Sequence, residues 1–180
     1  MKNKFVIFLM AVLIVCISSV AFAAMHPFSD VPDDHWAYND VTDLANEGII
    51  EAYMDGTFMG NKNATRYEVA VMVANLYSKK THTPITMSVN PFSDLPSNHW
   101  AAKSVTTLFE AGIEEGGYGD GTFLGNRNIT HGELRTMINN LFRVTGIDAR
   151  MKDNPDNENE PLTRYELAAT LNRVYKALFN

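Results

Sequence analysis

Four kinds of residue in this 180-residue chain could do chemistry, and each recurs. Thr65 with Glu68, Thr130 with Glu133, and Thr163 with Glu166 stand three apart. At that spacing a threonine hydroxyl and a glutamate carboxylate satisfy each other's backbone donors at a helix start. Arg66 and Arg164 sit just inside two of those starts, and His131 occupies the same place in the third. Exposed N–H groups and the positive end of the helix dipole favour an anion there, and a guanidinium adds a planar fork for a carboxylate. The residues alone leave two readings of the arginines open: ligand contact, or a solvated or salt-bridged side chain. His35-Trp36 recurs as His99-Trp100. A tryptophan offers a flat face to a sugar ring, but packing within the core or between repeats is the expectation. Neither histidine has a second histidine or a glutamate at metal-ligand spacing, so packing or helix-start hydrogen bonding is expected instead. Asp55 and Asp120 open Asp-Gly loops, but a calcium loop counted from Asp55 would place Thr57 and Arg66 where oxygen ligands are needed. Turns are expected there. The acidic pairs Asp33-Asp34 and Glu114-Glu115 have no burying context, and no Ser/His/Asp set stands at a recognisable spacing. The sequence thus gives no catalytic set and calls for no cofactor.

The elements that must position these residues come as an internal repeat. Phe28, Asp30, Pro32, His35, Trp36 and Ala37 recur as Phe92, Asp94, Pro96, His99, Trp100 and Ala101, at an offset of 64. Asp55, Phe58, Gly60, Asn63 and Thr65 recur as Asp120, Phe123, Gly125, Asn128 and Thr130, at an offset of 65. A third copy is half present: Thr163, Arg164, Tyr165 and Glu166 repeat Thr65, Arg66, Tyr67 and Glu68, but the Phe/Asp/His/Trp half is missing. Each full copy reads as helix, loop, helix. Ala37, Val41, Leu44 and Ala45, and then Ala101, Val105, Leu108 and Phe109, share helical faces closed by Gly48 and Gly112. Asp33 or Asp34 is expected to cap the first of these helices. Behind the three Thr/Glu boxes run apolar stripes: Val69, Met72, Val73, Leu76 and Tyr77; Leu134, Met137, Ile138, Leu141 and Phe142; Leu167, Leu171, Val174, Tyr175 and Leu178. Helices of roughly twelve residues are marginal alone, so the stripes must bury against one another. The expected class is all-α. Residues 79–90 and the polar stretch 152–161 read as linkers.

The compound pattern Phe-x-Asp, His-Trp-Ala, Gly-Ile, Asp-Gly-Thr-Phe-x-Gly and Thr-Arg-x-Glu resembles the S-layer homology motif. The resemblance covers residues 28–78 and 92–143 as full motifs and 162–180 as a partial third, with 144–161 as linker. It implies a pseudo-threefold helical bundle that holds a cell-wall polysaccharide or peptidoglycan in grooves between motifs. It assigns Arg66 and Arg164 to polymer binding, with Trp36, Trp100 and His131 as further candidates. Thr65, Glu68, Thr130, Glu133, Thr163 and Glu166 are read as structural caps. Replacing both arginines by alanine is expected to weaken wall retention while leaving helicity intact. The competing expectation is a protein–protein adaptor or a self-associating envelope protein, since half a third motif would leave an apolar helix face open.

The whole chain sets the compartment. Lys2 and Lys4, an apolar run over 5–16 and a small-x-small ending at 21–23 read as a secretory signal peptide, 1–23. A retained membrane anchor and a lipid-modified Cys16 compete with that reading, because the apolar stretch is roughly long enough to span a bilayer. Cleavage would leave 157 residues, remove the only cysteine and move the formal charge from −6 to −8. An acidic chain argues against nucleic acid, which calls for a basic face. No later segment is apolar enough to cross a bilayer. The expectation is export to the cell envelope.

Overall fold

The computed structural model describes residues 28–115, 117–152 and 154–180, so the segment read as a signal peptide lies outside the described residues. Five helices follow in order: α1 (Tyr38–Asn46), α2 (Arg66–Thr81), α3 (Ala102–Glu110), α4 (His131–Thr145) and α5 (Arg164–Phe179). Among the described residues the only β pairing is three isolated bridges, and the class is all-α as read from the stripes.

The apolar periodicity becomes one core. Val41 and Leu44 of α1 pack towards α5, α3 packs on α2, and α2 also meets α4 and α5. Because α2 has neighbours on several sides, Ala70 and Ala74 are buried along with its stripe of Val69, Met72, Val73 and Leu76. The small side chains let the flanking helices approach. The open apolar face expected on α4 or α5 is covered except at Tyr175, which is half-buried. Leu134, Met137, Ile138, Leu141 and Phe142 are buried, as are Leu167, Leu171, Val174 and Leu178. Where the third copy lacks its first helix, the polar stretch crosses α4 instead. The Met151 N–H donates to Asn139 Oδ1 at 2.8 Å, and the Gly132 N–H donates to the Glu158 carbonyl at 2.9 Å.

Two local expectations change. The stretch after Pro32 forms turns, α1 starts only at Tyr38, and its N-cap Ala37 has no side-chain cap from Asp33 or Asp34. The Ala37 N–H donates to His35 Nδ1 at 3.2 Å, and the Ala101 N–H to His99 Nδ1 at 3.3 Å. This is the helix-start role expected of the recurring histidines. The second helices are also longer than roughly twelve residues, at 16, 15 and 16. Lys79 and Lys80, read as linker, continue α2 and tie its end to the Glu47 and Leu178 carbonyls.

The three Thr-bearing loops close a ring. Asn63 bridges Thr163, Thr65 bridges Asn128, and Thr130 bridges Pro161. Each loop therefore pairs with both others, and Ala64, Ile129 and Leu162 are fully buried between them. The half-length third copy completes the pseudo-threefold arrangement with its loop and second helix alone.

Candidate functional site

All three expected capping boxes form. Thr65, Thr130 and Thr163 each accept the N–H of the glutamate three residues on, and that glutamate accepts the threonine N–H in return. Each box starts a helix whose first residue reaches across to the neighbouring copy. Arg164 Nε donates to the Phe58 carbonyl at 2.7 Å, and Arg66 Nε to the Phe123 carbonyl at 3.0 Å. The repeat thereby fixes a rotation: copy three reaches into copy one, copy one into copy two, and His131 of copy two faces copy three.

Both guanidiniums are buried, at 3% exposure for Arg164 and 4% for Arg66. Arg164 lies between the rings of Tyr53 and Phe58, 4.7 Å from each centroid, with Nη1 3.3 Å from Glu68 Oε1. Arg66 lies likewise between Tyr118 and Phe123, 3.4 Å from Glu114 and 3.7 Å from Glu133. The glutamates do double duty. Oε2 of Glu68 closes the capping box, while Oε1 meets Arg164, Lys62 and the Tyr53 hydroxyl. Burial pushes the Glu68 carboxyl up, but the Thr65 N–H, the Tyr53 hydroxyl and the Arg164 charge outweigh it and hold the group below its ordinary value. Both arginines are salt-bridged, and both also line grooves.

Three grooves occupy equivalent places. The α2 groove, about 290 Å³, is lined by Tyr53, Glu68, Asn75, Arg164 and Trp100. The α4 groove, about 210 Å³, has Tyr118, Glu133, Asn140 and Arg66 in the matching places but no tryptophan, because the third copy has none. The α5 groove, about 400 Å³, is lined by Trp36, His131, Glu166, Arg135, Lys152 and Arg173. Trp36 and Trp100 are not core residues, each being 63% exposed, so of the packing expected only the contact between repeats is present. Their inner edges approach the buried Tyr165 and Tyr67, 6.0 Å between centroids.

Several residues that shape the site carried no chemical reading in the sequence. Asp30 accepts the Phe58 and Met59 N–H groups at 2.6 and 2.8 Å, and Asp94 accepts those of Phe123 and Leu124 at 2.7 and 2.8 Å. These carboxylates hold Met59 and Leu124 at positive φ, 54° and 51°, so the loop can present its phenylalanine to the arginine. Tyr53 and Tyr118 also recur at the offset of 65, which was the available signal. The Asp55 loop is the expected turn, with the Thr57 N–H donating to Asp55 Oδ1 at 3.0 Å.

The S-layer homology domain family matches residues 27–70 and 91–134. The chain belongs to that family. Among its relatives, cell surface glycoprotein 1 of Acetivibrio thermocellus is 35% identical over 129 residues, 69% of this chain and 5% of that protein. The outer membrane protein SlpA of Thermus thermophilus is 40% identical over 91 residues, 51% of this chain and 10% of that protein. The outer membrane protein alpha of Thermotoga maritima is 49% identical over 65 residues, 36% of this chain and 16% of that protein. The S-layer homology chain thus spans a small fraction of each of these relatives. Its kinship places it among exported proteins of the cell envelope. Among the described residues no helix is long and apolar enough to cross a membrane.

Proposed function

We propose that this S-layer homology chain is a non-catalytic anchoring module that holds a cell-wall polymer, a secondary wall polysaccharide or modified peptidoglycan, in the grooves between its repeats. The observation that carries the reading is the exposure of Trp36 and Trp100 at the lips of two equivalent grooves. Large aromatic rings held open to solvent at repeat junctions are surfaces for a ligand with one apolar face, such as a sugar ring. Arg66, Arg164 and His131 stand at the inner ends of the three grooves. The two arginines supply a rigid floor with remaining N–H donors, and their charge is already answered by glutamate. A relative from Acetivibrio thermocellus, 31% identical over 112 residues, is named a cellulosome-anchoring protein, which agrees with an anchoring role.

Co-sedimentation with purified peptidoglycan sacculi tests the proposal. The protein pellets with sacculi, and Trp36→Ala with Trp100→Ala lowers the retained fraction by about tenfold or more, as truncating aromatic anchors does. Because both side chains are exposed, far-UV circular dichroism stays unchanged. Equal retention of the double variant and its parent would overturn the reading. The arginine double variant cannot serve here, because removing buried, paired guanidiniums changes the fold's stability together with the grooves.

A further inference from the structure

Residues 84–91 run without a bend or a turn, and two hydroxyls of α3 hold them. The Thr86 N–H donates to Thr107 Oγ1 at 3.2 Å, and Thr107 Oγ1 donates back to the Thr86 carbonyl at 3.0 Å. The Ser88 N–H donates to Thr106 Oγ1 at 3.3 Å, and that hydroxyl passes its proton on to the Ala102 carbonyl at 2.9 Å. The second copy thus wears an extended strap on its first helix, and the strap leads through Pro91 into Phe92.

The first copy has the seat for such a strap. At the offset of 64 that relates Phe28 to Phe92, Thr42 corresponds to Thr106 and Asp43 to Thr107. Thr42 Oγ1 is buried and has no hydrogen-bond partner among the described residues. A buried hydroxyl left without a partner is costly, and the second copy shows what satisfies it. The same offset takes Pro91 to Pro27 and Ser88 to Ala24, the residue that removal of 1–23 would make the first. Where the second copy has the neutral Thr107, the first has a carboxylate. Asp43 accepts a side-chain N–H of Asn172 at 3.0 Å, beside Asp40, which accepts at 2.8 Å from the same amide, and it lies 3.8 Å from Lys176. The carboxylate therefore stands on the seam where α5 of the third copy covers α1.

We propose that the seat on α1 is filled by residues 24–27, which lie outside the described residues, and that export creates the group that fits it. Water hydrolyses the Ala23–Ala24 peptide bond at a signal-peptide-cleaving protease, leaving a carboxylate on Ala23 and an ammonium on Ala24. The ammonium donates to Thr42 Oγ1 and is answered by Asp43, as charge-assisted hydrogen bonding favours. An uncleaved chain has no charge there and brings the apolar Phe22 into the register of Thr86 instead. The mature N-terminus is thereby tied to the seam that closes the ring of copies.

The full chain is exported from cells and its product weighed by intact mass spectrometry, with Ala24 expected as the first residue. In that product, nuclear Overhauser contacts join Ala24 to the Thr42 methyl. Thr42→Val keeps the shape and removes the hydroxyl, so it lowers the melting temperature by about 2–4 °C, as loss of one buried hydrogen bond does in a domain of this size. Thr106→Val in the second copy supplies the reference for an occupied seat. The Ala24 ammonium, followed by proton resonance against pH, titrates higher in the parent than in Asp43→Asn. An orphaned hydroxyl gives the opposite result, since Thr42→Val then leaves the melting temperature unchanged or raises it. That result, a first residue other than Ala24, no contact between Ala24 and Thr42, or an ammonium indifferent to Asp43→Asn would each overturn the proposal.

Discussion

Arg164 is one side chain with three jobs: it binds the Phe58 carbonyl, lies between two aromatic rings and neutralises Glu68. A buried charge stripped of its partner is costly, so Arg164→Ala should destabilise the protein by about 3–5 kcal/mol, measured by urea unfolding. A loss below about 1 kcal/mol would mean that the pair is not desolvated as described. The same pair sets an acid response. The Glu68 carboxyl titrates below its ordinary 4.5 in the folded chain, so its contribution is complete above that value and is lost as pH falls through the depressed folded one. Urea midpoints should therefore drop as the pH falls below the ordinary 4.5 of the carboxyl, and Glu68→Gln should flatten that drop. At this scale the sequence was half legible. Thr/Glu spacing announced the caps, because capping is local. The destination of each arginine was not legible, because it depends on residues of another copy, 106 positions away in the case of Phe58. The tryptophans divide in the same way: a neighbouring copy supplies a tyrosine beside each ring, but hydrophobicity does not say how much of the ring that neighbour covers.

At the scale of elements, the departures of copies two and three explain each other. Tyr67 and Tyr165 are the second residues of α2 and α5 and lie against Gly125 and Gly60 so closely that a Cβ there would stand 2.1 Å from a ring carbon. Tyr67 lies tilted against His99 and Tyr165 stacks on His35, 4.2 and 4.0 Å between centroids. The third copy has neither the glycine nor the histidine, so α4 has nothing for a tyrosine to rest on. It carries Gly132 instead, where a Cβ would meet Glu158 at 2.6 Å. His131-Gly132 and the missing half-motif are thus two sides of one contact. Gly125→Ala should cost about 1–3 kcal/mol through displacement of the Tyr67 ring, and combining it with Tyr67→Ala should recover part of that loss. Additive thermal shifts in the double variant would show that the ring and the glycine do not meet. The repeat made these positions visible as departures, but only packing across copies says why they depart.

The whole molecule carries a stronger claim than its two matched motifs. A reader of the family match alone would expect residues 27–70 and 91–134 to be separable units. The ring of bridges says otherwise. Copy one takes its groove arginine, its stacked tyrosine and the helix that covers α1 from copy three, and copy two takes the corresponding groups from copy one. Removing residues 146–180 would expose Val41, Leu44 and Phe58 and leave Glu68 without Arg164, although both matched motifs remain in full. The truncated chain should therefore lose cooperative unfolding and keep only fluctuating helix, since its helices bury their apolar faces chiefly across copies. Far-UV circular dichroism against urea, with the dispersion of amide proton resonances, distinguishes the outcomes. A sharp transition and dispersed resonances in the truncated chain would make the copies autonomous, with the third an appendage. A broad, midpoint-free loss of helix means that the half-motif is the closing piece of one cooperative unit, which is why nineteen residues without a first helix, loop tryptophan or phenylalanine still form a third copy.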